Sequence, residues 1–261
     1  MLTRGIRAFN RMPLWNRQVP LGEYTIHVPT FDRWLYVKLH HHGRIGKSER
    51  QFLARHVKPG MTVVDVGANI GLYSLFLAKH VGKGGQVWAF EPDPILFEAA
   101  LLNSRQNGTE DIVKLHNLAL GSRSGPARLY RSSFNSGDNR LSASAARQDS
   151  VLVQMAPLDT LLCQTKIDLI KIDVQGWEAE VLRGMDQILR TNPAMTLYFE
   201  YWPEGVRKAG DEACAPLELL SQYGFTVLLP DTGEAVSKRQ LENLAKQSAG
   251  PRFLNLMARR V

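Results

Sequence analysis

The stretch Val63-Val64-Asp65-Val66-Gly67-Ala68-Asn69-Ile70-Gly71 is a short β-branched run that ends in two glycines and leads into a segment of helical period. A run this apolar fits a strand covered on both faces, as in parallel sheets. The glycines supply the positive φ or the close backbone approach that a tight strand-to-helix turn requires. Working outward, the same alternation repeats. Strands are expected at Thr62–Val66, Gln86–Phe90, Ile112–His116, Leu169–Asp173, Met195–Glu200, Thr226–Leu229 and Phe253–Met257. Helical spacing separates them at Leu72, Leu75 and Phe76, at Phe97, Ala100 and Leu101, and at Val181, Leu182, Met185 and Leu189. Seven strands interleaved with crossover helices predict a mostly parallel sheet with helices on both faces.

Two regions break the alternation. Residues Ser132–Ser150 are rich in Ser, Asn, Gly and Asp and read as a loop, flanked by Ala127–Tyr130 and Val151–Met155, which can pair as extra strands. Residues 1–58 read as a separate N-terminal extension ahead of a domain spanning residues 59–261. The extension carries an expected hairpin of Tyr24–Val28 with Trp34–Leu39, then a helix Ser48–His56 capped by Ser48 with Gln51 three residues on. Charge follows the same division: residues 1–60 hold 11 Lys/Arg against 3 Asp/Glu, leaving 21 against 22 for the rest. The body that follows is therefore close to neutral, and the extension is expected to be separable from it. Its arginines fit a solvated arm, a peripheral contact with a membrane surface, or an organelle transit peptide. A nucleic acid partner is disfavoured, because only Trp15, Phe31 and Trp34 are interleaved with the basic residues. Cys163 and Cys214 stand far apart without metal or disulfide spacing, and no stretch reaches the length of a membrane span. A cytoplasmic setting is expected.

The glycine turn also points to a ligand. A helix opening at Gly71 presents free N–H groups to an electron-rich partner. Twenty residues on, Phe90-Glu91-Pro92 ends the second strand with an acid placed to accept hydrogen bonds from a ribose diol. Both features imply a nucleoside, although Asp65 and Glu91 also suit ordinary capping of nearby N–H groups. The dinucleotide fingerprint G-x-G-x-x-G needs a middle glycine where a pyrophosphate approaches, and here that position is Asn69. Asp65, two residues before Gly67, would repel a pyrophosphate and attract the ammonium of a methionine moiety. S-adenosylmethionine thus fits better than a nicotinamide dinucleotide. The expected cofactor-binding residues are Asp65, Gly67, Asn69, Gly71, Glu91 and Pro92.

Residues 59–232 resemble the FkbM family of S-adenosylmethionine-dependent methyltransferases. The resemblance rests on Asp65-Val-Gly-Ala-Asn-Ile-Gly71, Phe90-Glu-Pro-Asp93, Ala119-Leu-Gly121 and Asp168-Leu-Ile-Lys-Ile-Asp-Val-Gln-Gly-Trp-Glu178. It implies a Rossmann-like class I methyltransferase fold and O-methylation of a hydroxyl on a sugar, a polyketide or a lipid-linked glycan. Where the family usually has Glu, this chain has Gln175.

In open α/β sheets the ligand lies beyond the carboxyl ends of the strands, where Asp65, Glu91, Asp173 and Glu200 fall. Methyl transfer from a sulfonium asks the protein to align the acceptor, exclude water and take up the hydroxyl proton. Asp173 is the expected base, with Lys171 on the same side of the strand to hold it ionised and oriented; a purely structural ion pair is the alternative. Glu178 can act on the acceptor or a metal, or simply favour a helix N-terminus. Trp177 and Trp202 are expected beside the acceptor, although a Trp placed like Trp177 is more often a core or helix-packing residue, and Asn139 is expected in a lid loop. The sequence permits a divalent cation shared by Asp173 and Glu200 but does not favour it, since no third ligand is visible. Two other readings stay open: a nicotinamide-dependent oxidoreductase, and a non-catalytic binding module with a basic arm.

Overall fold

The structure, a computed structural model, describes residues 18–29, 31–42, 46–132, 135–142, 149–237, 239–240, 243 and 253–260. The Arg4, Arg7, Arg11 and Arg17 leader, Trp15 and residues 133–134 and 143–148 of the expected loop lie outside them. Strands β1 (Gln18–Leu21) and β2 (Tyr24–His27) form an antiparallel hairpin closed at Gly22, whose φ is 64°. Helices α1 (Arg33–His42) and α2 (Lys47–His56) follow. Then come β3 (Thr62–Val66), α3 (Leu72–Val81), β4 (Gln86–Phe90), α4 (Pro94–Gln106) and β5 (Val113–His116). Strands β6 (Ala119–Leu120), β7 (Gly125–Tyr130) and β8 (Ser150–Ala156) make a small second sheet. The chain closes with α5 (Asp159–Leu162), β9 (Leu169–Ile172), α6 (Glu178–Arg183), α7 (Asp186–Thr191), β10 (Thr196–Tyr201), α8 (Pro203–Lys208), α9 (Ala215–Gln222), β11 (Thr226–Leu228) and β12 (Leu254–Arg259).

All seven expected strands join one sheet in the order β11-β12-β10-β9-β3-β4-β5, with β12 antiparallel to both of its neighbours. Neighbouring residues of each strand face opposite layers, as the pleat demands. Val64, Val66, Ile170, Ile172, Leu197 and Phe199 pack with α6, α7 and α9. Val63, Leu169 and Tyr198 pack on the other side with Phe52 and Leu53 of α2 and Leu77 and Ala78 of α3. That parity sends Asp65, Lys171, Asp173 and Glu200 to the α2/α3 side, so the ionisable groups converge at the carboxyl ends of β3, β9 and β10. The order of strands reverses between β3 and β9, which places the ligand crevice there.

The N-terminal elements share this core. Val19, Ile26, Val28 and Leu39 are buried against Ile70, Leu75, Leu96 and Ala99. Asn103 of α4 and Asn107, which caps its C-terminus, accept the His27 and Thr25 backbone N–H groups at 2.6 and 3.0 Å. The strand expected at Trp34–Leu39 is instead part of α1. Asp32 Oδ1 accepts the Leu35 N–H at 3.0 Å, an N-cap contact that outweighs the strand preference of Trp34, Tyr36 and Val37. The Ser48 cap is likewise replaced: α2 starts one residue earlier from Gly46, which is left-handed and has no side-chain cap. The single helix read through Val181 and Leu189 is two, broken at Gly184, where a Cβ would stand 2.1 Å from the Gly121 carbonyl oxygen.

Candidate active site

The turn after β3 is built as its glycines suggest. Gly67 has φ 82°, and a Cβ there would sit 2.0 Å from the Asp173 carbonyl oxygen, so the β3 and β9 turns pack backbone to backbone. Among the described residues only two non-glycine positions have positive φ, Asn69 at 53° and Gln175 at 54°. Both belong to these turns. A left-handed side-chain-bearing residue costs on the order of 1 kcal/mol, and two together mark a place where the fold gives up local comfort. Two adjoining cavities meet here, sharing Gly67, Asn69, Gly137, Asp173 and Gln175 in their walls.

The smaller cavity is lined by Phe90, Glu91, Pro92, Leu96 and Leu118 and is mostly apolar. Glu91 forms its polar edge. One carboxylate oxygen accepts the Asn69 N–H at 2.7 Å and the other the Asp93 N–H at 2.9 Å. Burial drives this carboxyl up to about 8 against those two N–H bonds, which favour its charged form. The loop expected over the ligand does border this cavity. Asn139 lies in its wall, taking the Ser132 N–H at 2.9 Å and reaching Asp93 Oδ2 at 3.3 Å. Arg131 clamps the same Asp93 carboxylate at 2.6 and 2.9 Å, while Ser136 donates its N–H to Asp32 and meets Asn69 through its hydroxyl.

The larger cavity has a volume of about 770 Å³, within the roughly 300–1,000 Å³ usual for small-molecule sites. Asp173, Glu200, Lys171, Trp202 and Arg140 line it, together with Glu49 from α2. Lys171 is the hub. Its ammonium is 2% exposed and lies 3.4 Å from Asp65, 3.7 Å from Asp173 and 4.7 Å from the centre of the Tyr73 ring. Burial lowers its basicity, but the Asp65 and Asp173 carboxylates win and its pKa is raised overall. Asp65 lines neither cavity: its carboxylate is fully buried between Lys171 and the Ser74 hydroxyl at 2.7 Å. It therefore sits beneath the ligand crevice. Asp173 is different, with its side chain 31% exposed.

Glu200 stands beside Asp173. Burial, and then the Asp173 charge, push its carboxyl up to about 8. Gln175 bridges the two, its amide nitrogen 2.9 Å from Asp173 Oδ1 and 2.6 Å from Glu200 Oε1. Glu178 lines neither cavity; it is buried, accepts the Gly176 N–H at 3.0 Å, and is raised to about 7 by desolvation. Trp177 packs between the main core and the small sheet, whereas Trp202 lies on the larger cavity with the Arg140 guanidinium 4.2 Å from its ring.

Several contributors have no signature in the sequence. Glu49 accepts a short hydrogen bond from the Tyr73 hydroxyl and lies 3.4 Å from Asn255 Nδ2, joining α2, α3 and β12, which no local motif connects. Arg131 is visible only once Asp93 is known to cap α4, although a Pro after an Asp was a readable cap signal.

The residues suit a nucleoside with a cationic amino-acid tail. The smaller cavity offers an apolar slot edged by one buried carboxylate, and the larger sets Asp173, Glu200 and Glu49 beside the buried Lys171 ammonium. Among the described residues no group of three His, Cys, Asp or Glu is arranged to hold a metal ion, and no helix is long and apolar enough to cross a membrane. The likeness to other proteins agrees with this geometry. Methyltransferase sdnD of Sordaria araneosa is 27% identical over 69% of this chain and 76% of its own length. A ribosomal protein L11 methyltransferase of Bacillus cytotoxicus is 41% identical, but over only 30% of this chain and 24% of its own length. The rRNA-methylase fold of Clostridium thermocellum superposes with a TM-score of 0.51 at 13% identity, covering 82% of this chain and 94% of that one. These place the chain in the Rossmann-like class I methyltransferase fold. The model of the methyltransferase FkbM domain matches residues 65–227, well over half of the sequence, so the chain belongs to the FkbM family of S-adenosylmethionine-dependent methyltransferases.

Proposed function

We propose that this methyltransferase acts on a hydroxyl oxygen of a small-molecule or glycan acceptor, with Asp173 taking up the hydroxyl proton. The observation that carries the proposal is the placement of Asp173. It directly follows β9 at the wall shared by both cavities, keeps about a third of its side chain open, and is held from two sides by Lys171 and Gln175. Gly67 and Asn69 would hold the cofactor's backbone-facing edge, and Glu91 and Pro92 its ribose; Gly71, packed on Ala100 outside both cavities, shapes the turn at φ 84°. Bound there, S-adenosylmethionine supplies a methyl group on a sulfonium, open to in-line attack. The chain's own work is then to orient and dry the acceptor. Trp202, stiffened by the Arg140 guanidinium on its face, gives a flat wall suited to a ring. Glu200, its carboxyl pushed up by burial and the Asp173 charge, stands beside the base where its protonated form would donate a hydrogen bond to the acceptor. Lys171 keeps the proton-accepting carboxylate aimed into the cavity. Asp65 anchors Lys171 from below.

Purified protein, methyl-labelled S-adenosylmethionine and a panel of hydroxylated sugars, polyketides and glycolipids test this. The expected product is an acceptor carrying label that survives mild alkali, as an ether does and a methyl ester does not. Label found on nitrogen or on a carboxylate would overturn the hydroxyl assignment, and turnover of any acceptor removes the reading of a silent binding module.

A further inference from the structure

Gln175 stands where acids surround it, and its contacts give it a specific task. We propose that Gln175 is a positioning residue whose single amide nitrogen ties Asp173 to Glu200 and occupies the place between them that a divalent cation would take. Both partners present carboxyl oxygens, so the nitrogen of the amide, and not its oxygen, must face them. The two donors of that nitrogen are used together, one on each acid. The backbone pays for the arrangement: Gln175 is left-handed at φ 54°, and the next residue, Gly176, is left-handed at 97° with no room for a Cβ, which would meet the Gly205 backbone at 2.4 Å. The turn is thus pinned against α8 in the one conformation that swings residue 175 between the acids. Strain kept at a site of this kind accompanies function.

The proposal turns on residue type. An acid at position 175 would gather three carboxylates, Asp173, Glu200 and its own, around one point, and a set of carboxylate oxygens on successive strand ends is what Mg²⁺ or Mn²⁺ binds. The amide does the reverse, filling that point with two hydrogen atoms and leaving each acid with an oxygen for the acceptor. This extends the proposed hydroxyl chemistry, but its test does not need the acceptor.

The experiment compares wild type, Gln175→Glu and Gln175→Met, with Mn²⁺ as the probe. Binding is read by calorimetry and by the Mn²⁺ paramagnetic resonance signal at mildly alkaline pH, with melting temperature and S-adenosylmethionine affinity recorded on each variant. Gln175→Glu is expected to bind Mn²⁺ at least about 10-fold more tightly than wild type, as added ligand charge does in carboxylate sites. Gln175→Met, equal in length and without donors, is expected to gain no Mn²⁺ affinity. With an acceptor in hand it should lower kcat by about 10-fold or more while leaving the KM for cofactor within about 2-fold, a split that loss of general stability does not produce. Equal Mn²⁺ affinity in wild type and Gln175→Glu would overturn the proposal. So would a Gln175→Met variant with wild-type kcat. A failure to find any hydroxyl acceptor would count against the proposed function and leave the Mn²⁺ result to decide this one.

Discussion

Replacing Lys171 by Met removes the ammonium buried between Asp65 and Asp173, and the structure sets the size of the effect. The ammonium is 2% exposed, its partner Asp65 is 0% exposed, and they are 3.4 Å apart. Without Lys171 the Asp65 carboxylate is left in the interior with one hydroxyl donor, Ser74. Breaking a buried pair by removing one partner costs about 3–5 kcal/mol, because the other charge remains without compensation. For a chain of this size that corresponds to a fall in Tm of roughly 6–20 °C. Thermal unfolding followed by circular dichroism measures it on Lys171→Met, Asp65→Asn and the double variant. Deleting both charges together should recover much of the loss, since the pair and not either group alone is what the interior accommodates. A Lys171→Met protein that melts with wild type, or a double variant whose loss equals both single losses added, would refute the coupling of β3 to β9 through this ion pair.

Two further outcomes follow from Glu91. Glu91→Gln should weaken S-adenosylmethionine binding by about 2- to 10-fold, the usual net worth of a hydrogen bond to a neutral group, and unchanged calorimetric affinity would contradict its place on the cofactor's ribose. In cofactor-free protein the same carboxyl makes stability fall with pH. It keeps its proton up to about 8 in the fold but ionises near 4.3 when unfolded, so its contribution is whole below that lower value and lost as pH rises through about 8, by about 1.4 kcal/mol per pH unit within the window. The difference in Tm between wild type and Glu91→Gln should therefore shrink or reverse between pH 5 and about 8; a constant difference would show that Glu91 ionises normally in the fold.

The sheet was legible because its code is local. Each of the seven strands is a short apolar run with its own turn residues, and the glycines at Gly67 and Gly71 fix where the first crossover begins. Strand ends fell within about two residues, the usual blur of such boundaries. The N-terminal hairpin was half legible. Tyr24 to His27 pairs as a strand, but its partner is Gln18 to Leu21, closed through the two-residue turn at Gly22, while Trp34 to Leu39 carries strand-forming residues that the Asp32 cap turns into a helix. At the site, the sequence brought forward Glu91, Asp173 and Glu200 because strand ends gather at one edge of an open sheet. It did not distinguish an acid that opens on a cavity from one that is wholly covered. Asp65 and Asp173 read alike as strand-end acids, and only the depth of Lys171 separates them, with Asp65 wholly covered and Asp173 partly open. Glu49 and Asp32 reach the site from a segment whose composition reads as a detached basic arm, because contacts between residues far apart in the chain leave no local pattern.

The most direct test of the account is the single-turnover rate of methyl transfer by Asp173→Asn, measured beside its affinity for S-adenosylmethionine. The substitution keeps the shape of the side chain and an acceptor oxygen while removing the capacity to take a proton. The expected result is cofactor affinity within about 3-fold of wild type and a transfer rate lower by about 10²- to 10⁴-fold, the range of acid–base catalysis. A variant that transfers its methyl group at the wild-type rate would contradict the assignment of Asp173 as the base.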